Sequence, residues 1–211
     1  MGVTLKLATS LDGRIATASG ESRWITGEAA RATVHRLRSQ HDAVLIGIET
    51  ALADDPELTV RLPGYTGRQP ARVVLDSRGR LPATSKLART ASEVATYVVT
   101  LKGAPAPAGV SHVEVIPGED GRAALEPALA ALRSKELVKV FVEGGGQVAA
   151  SFLRAGLVDR IEWFRAPILL GSEGRPCLGA LESGRLADAP RFRRVALEAL
   201  GEDVWERYER V

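Results

Sequence analysis

Cysteine is nearly absent: there is one among 211 residues, alongside three histidines. A disulfide framework is therefore impossible, and a zinc site built from several Cys and His ligands is disfavoured. Cys177 reads as structural, and no metal site is expected. No window approaches the roughly twenty consecutive apolar residues of a membrane span. The N-terminus, M-G-V-T-L-K-L-A-T-S-L-D-G, also lacks the basic region and apolar stretch of a signal peptide, so a cytoplasmic protein is expected. An excess of one charge sign is missing too. The 28 Lys and Arg against 26 Asp and Glu leave +2, too little to argue for a nucleic-acid partner. Three catalytic signatures are absent: G-x-S-x-G for a serine hydrolase, H-E-x-x-H for a metalloprotease and G-x-x-x-x-G-K-[ST] for an ATPase.

What is present suits one α/β domain. The apolar fraction of 45% and charged fraction of 26% are ordinary for a folded protein. Val3 to Ala8 alternates like a strand, and Asp12-Gly13 supplies a turn. Thr26 can cap a helix from about Gly27 to Ser39. The runs A-V-L-I-G after His41-Asp42, V-V-L at Val73 to Leu75, V-A-T-Y-V-V at Val94 to Val99 and V-K-V-F-V at Val138 to Val142 have the length of interior parallel strands. A helix is expected over 122–134, where Leu125, Leu129 and Leu132 share a face. After Ser151 the apolar segments follow one another closely, and an antiparallel ending is the economical arrangement. Gly103 to Gly109 reads as a loop within the domain.

Three segments could carry chemistry. In V-F-V-E-G-G-G-Q-V-A-A-S-F, Val140 to Phe152, the residues Gly144, Gly146 and Ala149 satisfy G-x-G-x-x-[GA] between a strand and a helix. Bare glycine lets a pyrophosphate approach main-chain N–H groups at the positive end of a helix. A glycine-rich corner without a ligand is the alternative, and the position late in the chain, with no second βαβ half after it, argues against a standard Rossmann fold. The polar loop Ser10 to Gly27 holds Trp24, which either covers a planar ligand or packs the loop down. In Gly47 to Gly64, Asp54-Asp55-Pro56 could be only a turn, yet Arg61 follows and Arg38 stands at the end of the first helix. Arginines suit bidentate phosphate recognition, or they are solvated surface.

Taken together, K-L-A-T-S-L-D-G-R-I-A, S-G-E-S-R-W-I-T-G, H-R-L-R, L-A-D-D-P-E-L-T-V-R-L, V-V-L-D-S and V-E-G-G-G-Q-V-A-A-S-F resemble the reductase domain of the bacterial bifunctional riboflavin-biosynthesis deaminase/reductase. The resemblance runs through nearly the whole chain, in order. It implies a dihydrofolate-reductase-like fold, with a mainly parallel central sheet flanked by helices and an antiparallel C-terminal end, and one reductase domain over 1–211. It further implies NADPH-dependent reduction of 5-amino-6-(5-phosphoribosylamino)uracil to its ribitylamino counterpart, with hydride delivered to the sugar C1′ of the ring-opened imine.

Carried over position by position, the resemblance implies cofactor contacts at Ala8, Trp24, Thr50, Asp54 and Ser77, and at Gly145, Gly146, Gln147, Val148, Ala149, Ala150 and Ser151. It implies substrate contacts at Ser22, Arg38, Leu58, Arg61 and Glu143, with Arg38 and Arg61 as a phosphate clamp and Lys6, Asp54 and Glu143 as the catalytic groups. The deaminase's pair of H-x-E and P-C-x-x-C elements is absent: His112-Val113-Glu114 fits the first, but no P-C-x-x-C accompanies it. The chain is then a cut piece, a partner of a separate deaminase, or a paralogue. A reductase of the same fold acting on a pterin or another heterocycle is one alternative, disfavoured by both arginines, and a non-catalytic NADP-binding protein is another. NADPH is the expected cofactor, although Ser77 and Arg78 could serve a 2′-phosphate or merely close a turn. The resemblance suggests a homodimer. The segment with Trp205 and Tyr208 could pair with a second copy at a sheet edge or complete its own sheet.

Overall fold

The computed structural model describes residues 2–211. In chain order the elements are β1 (Gly2–Thr9), β2 (Arg14–Ala16), α1 (Glu28–Ser39), β3 (Ala43–Gly47), α2 (Ile48–Asp54), β4 (Ala71–Leu75), α3 (Lys86–Arg89), β5 (Thr96–Leu101) and β6 (Ser111–Val115). They continue with α4 (Leu125–Arg133), β7 (Lys139–Gly144), α5 (Gly146–Arg154), β8 (Arg160–Arg165), β9 (Arg175–Pro176), β10 (Phe192–Leu200) and β11 (Asp203–Arg210). The architecture is the expected α/β one, mostly parallel with an antiparallel C-terminal end. The chain divides into two compact units, His35–Phe141 and Gly2–Val34 with Val142–Val211.

In the His35–Phe141 unit the strands β3, β4, β5 and β6 pair in that order, all parallel. Every residue of β3 is buried, which is why its sequence is an unbroken apolar run rather than an alternation. Val44, Ile46, Val74 and Val98 from three strands meet Ile48 and Ala51 of α2, with Leu58, Leu81 and Leu87, in one apolar cluster. Two of the unit's polar side chains bridge distant backbone. Asp42 Oδ2 accepts from Val138 N and Lys139 N at 3.0 and 2.7 Å, fixing where β7 begins.

Arg72 is 1% exposed. It donates to the carbonyls of Leu87, Thr90 and Val94 at 3.2, 3.0 and 2.9 Å, and to the hydroxyls of Thr90 and Thr96. A further bond, 3.3 Å, reaches Glu57 O. Burial lowers its pKa, while Glu57 and Glu93 oppose that through longer-range attraction.

In the other unit β1 and β8 pair in parallel, β11 runs antiparallel to β8, and β10 runs antiparallel to β11 with an irregularity between Arg194 and Ala196. Since β11 has a strand on both sides, Trp205 and Tyr208 complete their own sheet, and β10 is the outer strand. Trp205 stacks on Phe164 with ring centroids 5.7 Å apart. Its indole Nε1 donates to Glu162 Oε2 at 2.7 Å. Glu162 is 2% exposed, and burial raises its pKa above the ordinary carboxyl range, with the Trp205 hydrogen bond pulling the other way. On α5 the residues Ala149, Ala150, Phe152 and Leu153 face inward. The helix at Glu28 begins one residue later than expected. Asp203 Oδ2 accepts from Gly27 N at 2.6 Å, just before its first turn.

Replacing Arg72 by Met should cost on the order of 3 kcal/mol in urea unfolding, because four main-chain carbonyls, that of Leu87 fully buried, lose a donor. A loss within experimental scatter would show that water or relaxation replaces those bonds. The raised pKa of Glu162 means that the folded chain holds this proton more tightly than the unfolded one. Its stabilising contribution is full below the ordinary carboxyl range and is lost as pH rises through the raised value. Glu162→Gln, which keeps an acceptor for the indole, should therefore flatten the decline of the urea midpoint from mildly acidic to neutral pH. An unchanged decline would assign it to other groups.

Candidate active site

The glycines after Glu143 have separate physical reasons. Gly145 takes φ +85°, a conformation open to glycine at little cost, and its carbonyl accepts the first bond of α5, from Ala149 N at 3.0 Å. Gly146 is bare for another cause: a Cβ there would stand 3.0 Å from Pro176 O and 3.3 Å from Cys177 C and O. The segment from Pro176 to Ala180 lies against the start of this helix. Gly179 N donates to Gly146 O at 2.9 Å, and Arg154 Nη1 to Ala180 O at 2.6 Å. Ala149 and Ala150 are core residues, so a ligand at this helix start meets first the N–H groups of Gly146, Gln147 and Val148. Ser151 is half-buried one turn further on.

Close to this corner lies an unusual cation. Arg14 pairs in register with Pro176, its stem covers Gly174, and its Nε is buried without a hydrogen-bond partner. The loop leading to it is tightly tied. Ser10 Oγ donates to Asp12 Oδ1 at 2.6 Å, and Asp12 Oδ2 accepts from Gly171 N at 2.8 Å. The Ser10 hydroxyl, followed by the Leu170 and Gly171 N–H groups, holds the Asp12 carboxyl below its usual range. The expected Asp12-Gly13 turn is present, with Gly13 at φ +75°.

Lys6 and Ala8 share the half-buried face of β1, opposite buried Leu5 and Leu7. In register they stand beside Glu162 and Phe164 of β8. Glu143, also half-buried, is the penultimate residue of β7. Ser22 is half-buried in the loop before α1, while Trp24 is 69% exposed and so does not pack that loop down. Its ring instead lies under the Arg31 guanidinium at 4.4 Å, and Arg31 Nη1 donates to Thr26 O at 2.7 Å.

In the His35–Phe141 unit, Thr50 and Asp54 are on α2, a short helix that ends in a left-handed Asp55 at φ 39°. The Asp55 carboxylate accepts from Lys86 N at 2.8 Å, so of the two aspartates this one is the cap and exposed Asp54 is the one facing solvent. Leu58 is also left-handed, at φ 56°, with its side chain 4% exposed in the apolar cluster. A contact with a ligand here falls to its backbone. Arg38 reaches the same segment through a 2.8 Å bond from Nη1 to Thr59 O, and exposed Arg61 meets Glu57 at 3.2 Å. Ser77 follows β4. Its hydroxyl accepts from Ala123 N at 2.9 Å, and beside it Asp76 is fully buried with Oδ1 unpartnered.

Sequence reasoning missed Arg72, Glu162, Asp203 and Gln69, whose side chains support these positions. For Glu162 a signal existed: a carboxylate set between the apolar Ile161 and Trp163 within a strand. Among the described residues, no group of His, Cys, Asp and Glu is placed to hold a metal ion, and no helix is long and apolar enough to cross a membrane.

Comparison with known proteins brings these positions into one family. Residues 2–205 match the profile of the RibD C-terminal domain. The riboflavin biosynthesis protein RibD of Actinobacillus pleuropneumoniae is 35% identical over 209 residues, which cover 96% of this chain and 55% of that protein. The chain thus spans about half the length of such relatives. A relative of matching length is the 2,5-diamino-6-ribosylamino-4(3H)-pyrimidinone 5′-phosphate reductase of Methanothermobacter thermautotrophicus, 36% identical, with 98% of this chain and 96% of that one covered. Among solved structures, a diaminohydroxyphosphoribosylaminopyrimidine deaminase/5-amino-6-(5-phosphoribosylamino)uracil reductase from Thermotoga maritima is 30% identical. It superposes with a TM-score of 0.85 over all of this chain and 56% of its own. The chain belongs to the RibD C-terminal domain family.

Proposed function

We propose that residues 1–211 form one reductase domain that reduces 5-amino-6-(5-phosphoribosylamino)uracil to its ribitylamino counterpart with NADPH. The observations that carry this reading are a family match along nearly the full chain and a relative matched over 96% of its own length that is named a ribosylaminopyrimidinone 5′-phosphate reductase. Two features suit a dinucleotide. The start of α5 offers main-chain N–H groups, and the buried, unpartnered Arg14 Nε lies on the strand paired with Pro176, whose carbonyl crowds Gly146. When bound, a reduced nicotinamide supplies the hydride.

The chain's own residues then bind, orient and move a proton. Arg61 takes the sugar phosphate, and Arg38, which already spends one Nη on Thr59 O, braces the segment that presents it. Glu143 bonds the pyrimidine side of the substrate at the strand end. Lys6 and Asp54 orient the ring-opened ribose or supply the proton that the imine nitrogen gains as C1′ gains hydride, which balances the conversion of C=N to CH–NH. Trp24, whose exposed ring is flanked by Arg31, covers the planar cofactor. The reading also carries a homodimer, a cytoplasmic location and a separate deaminase activity that produces the substrate.

One observation favours a second substrate: the matching-length relative is named for a pyrimidinone that retains the 2-amino group. NADPH consumption should therefore be followed with both phosphoribosyl pyrimidines, with dihydrofolate and NADH as controls. Turnover of the uracil form supports the reading, and turnover of the diamino form alone places reduction before deamination. Oxidation with dihydrofolate instead would bring the pterin alternative forward. Glu143→Gln should lower kcat by roughly 100-fold while NADPH affinity stays within about twofold. Equal losses in both would remove the separation between substrate and cofactor roles.

A further inference from the structure

Residues 57–61 belong to no strand or helix, yet five of their main-chain groups are held by side chains from elsewhere in the unit. Arg72 reaches Glu57 O, and Arg38 reaches Thr59 O. The Gln69 side chain takes Val60 from both sides: Oε1 accepts from Val60 N at 2.7 Å and Nε2 donates to Val60 O at 3.1 Å. Arg61 N then donates to His35 Nδ1 at 3.2 Å. Leu58 and Val60, each 4% exposed, anchor the segment inward. The Arg61 side chain is the exception, about half exposed and facing Glu57 in a pair of the weak, solvated kind.

Gln69 does here what a neighbouring strand would do. One carboxamide carries both an acceptor and a donor, so it can satisfy the N–H and C=O of a single residue in the manner of a ladder partner. The two groups it holds immediately precede Arg61. Without them the peptide joining Val60 to Arg61 keeps only the 3.2 Å bond from Arg61 N to His35, and the root of the guanidinium is less firmly fixed. A bidentate contact with a phosphate depends on that root being fixed, because the fork must meet two oxygens at once.

We propose that Gln69 is a positioning residue for Arg61, fixing the Val60–Arg61 backbone so that the guanidinium is presented to the substrate's phosphate. The inference rests on the reductase reading, in which Arg61 takes that phosphate. The competing role for Gln69 is general support of the loop, which would affect all ligands of the domain alike.

The test uses Gln69→Met, which removes both hydrogen bonds and keeps the side-chain length. KM and kcat are measured at saturating NADPH with the phosphoribosyl substrate and with its dephosphorylated counterpart. The expected result is a KM for the phosphorylated substrate raised about tenfold. KM for the dephosphorylated compound and kcat should stay within about twofold, and adding Gln69→Met to Arg61→Met should produce little further loss. If both substrates lose KM equally, or if the two substitutions add fully, the positioning role is overturned. If Arg61→Met raises KM and Gln69→Met does not, the proposal falls while the phosphate role of Arg61 stands. If Arg61→Met itself leaves KM unchanged, the phosphate reading fails and this inference with it. Should Gln69→Met not fold, Gln69→Asn takes its place, since its shorter amide cannot span both groups, and it is judged by the same outcomes.

Discussion

A buried guanidinium holds the His35–Phe141 unit in its functional shape. Arg72 carries a full charge where water is excluded, and among the described residues no carboxylate pairs with it directly. Such a group is tolerated only if its donors are satisfied, and here they are, by main-chain carbonyls and two threonine hydroxyls drawn from residues 57, 87, 90, 94 and 96. The same bonds spare the turn after α3 from leaving carbonyls unpaired. Its reach to Glu57 O links the apolar cluster to the segment that carries Arg61. Energetics and presentation of a surface arginine thus pass through one side chain of β4.

The glycine turn after Glu143 joins a strand to a helix, as its spacing predicts, but its glycines have mixed causes. Gly145 is glycine because of its backbone angle, and Gly146 because another stretch of the same chain lies against it. The spacing G-x-G-x-x-A is met partly for reasons internal to the protein. The glycines therefore lend less support to a bound pyrophosphate than they do in the sequence alone. Support rests on the main-chain N–H groups of Gly146, Gln147 and Val148 that the corner itself offers, and on Arg14, which the motif does not contain.

Legibility in the sequence followed burial and distance. Strands β3, β4, β5 and β7 are buried runs and show as such, and α1, α4 and α5 carry enough period to be found, with α4 shorter than its expected 122–134. Strand β6, S-H-V-E-V, is the outermost strand of its group and exposes alternate residues, so its pattern is too polar to stand out beside the apolar runs. Helices α2 and α3, of seven and four residues, are too short to show a period. Among the proposed site residues, chemistry-bearing side chains such as Glu143, Asp54 and Arg61 lie in recognisable strings. Their supports do not: Asp203 acts on Gly27 across 176 positions, and Arg72 on Thr96 across 24. A hydrogen bond between distant positions leaves no periodicity for a single sequence to show.

This separation has a consequence for how the site tolerates change. The groups proposed to touch ligand are, in this unit, mostly exposed or half-buried, so substituting them removes chemistry with little effect on folding. The groups that present them, Arg72 above all, are buried and shared with the core, so substituting them mixes instability with misplacement. Gln69 is the exception: half-buried, neutral, and bonded to a single residue of an irregular segment. At such a position presentation can be altered while the core stays intact. Kinetic separation of the proposed phosphate recognition from general fold stability is therefore physically available at Gln69 and not at Arg72, even though both act on the same five residues of backbone.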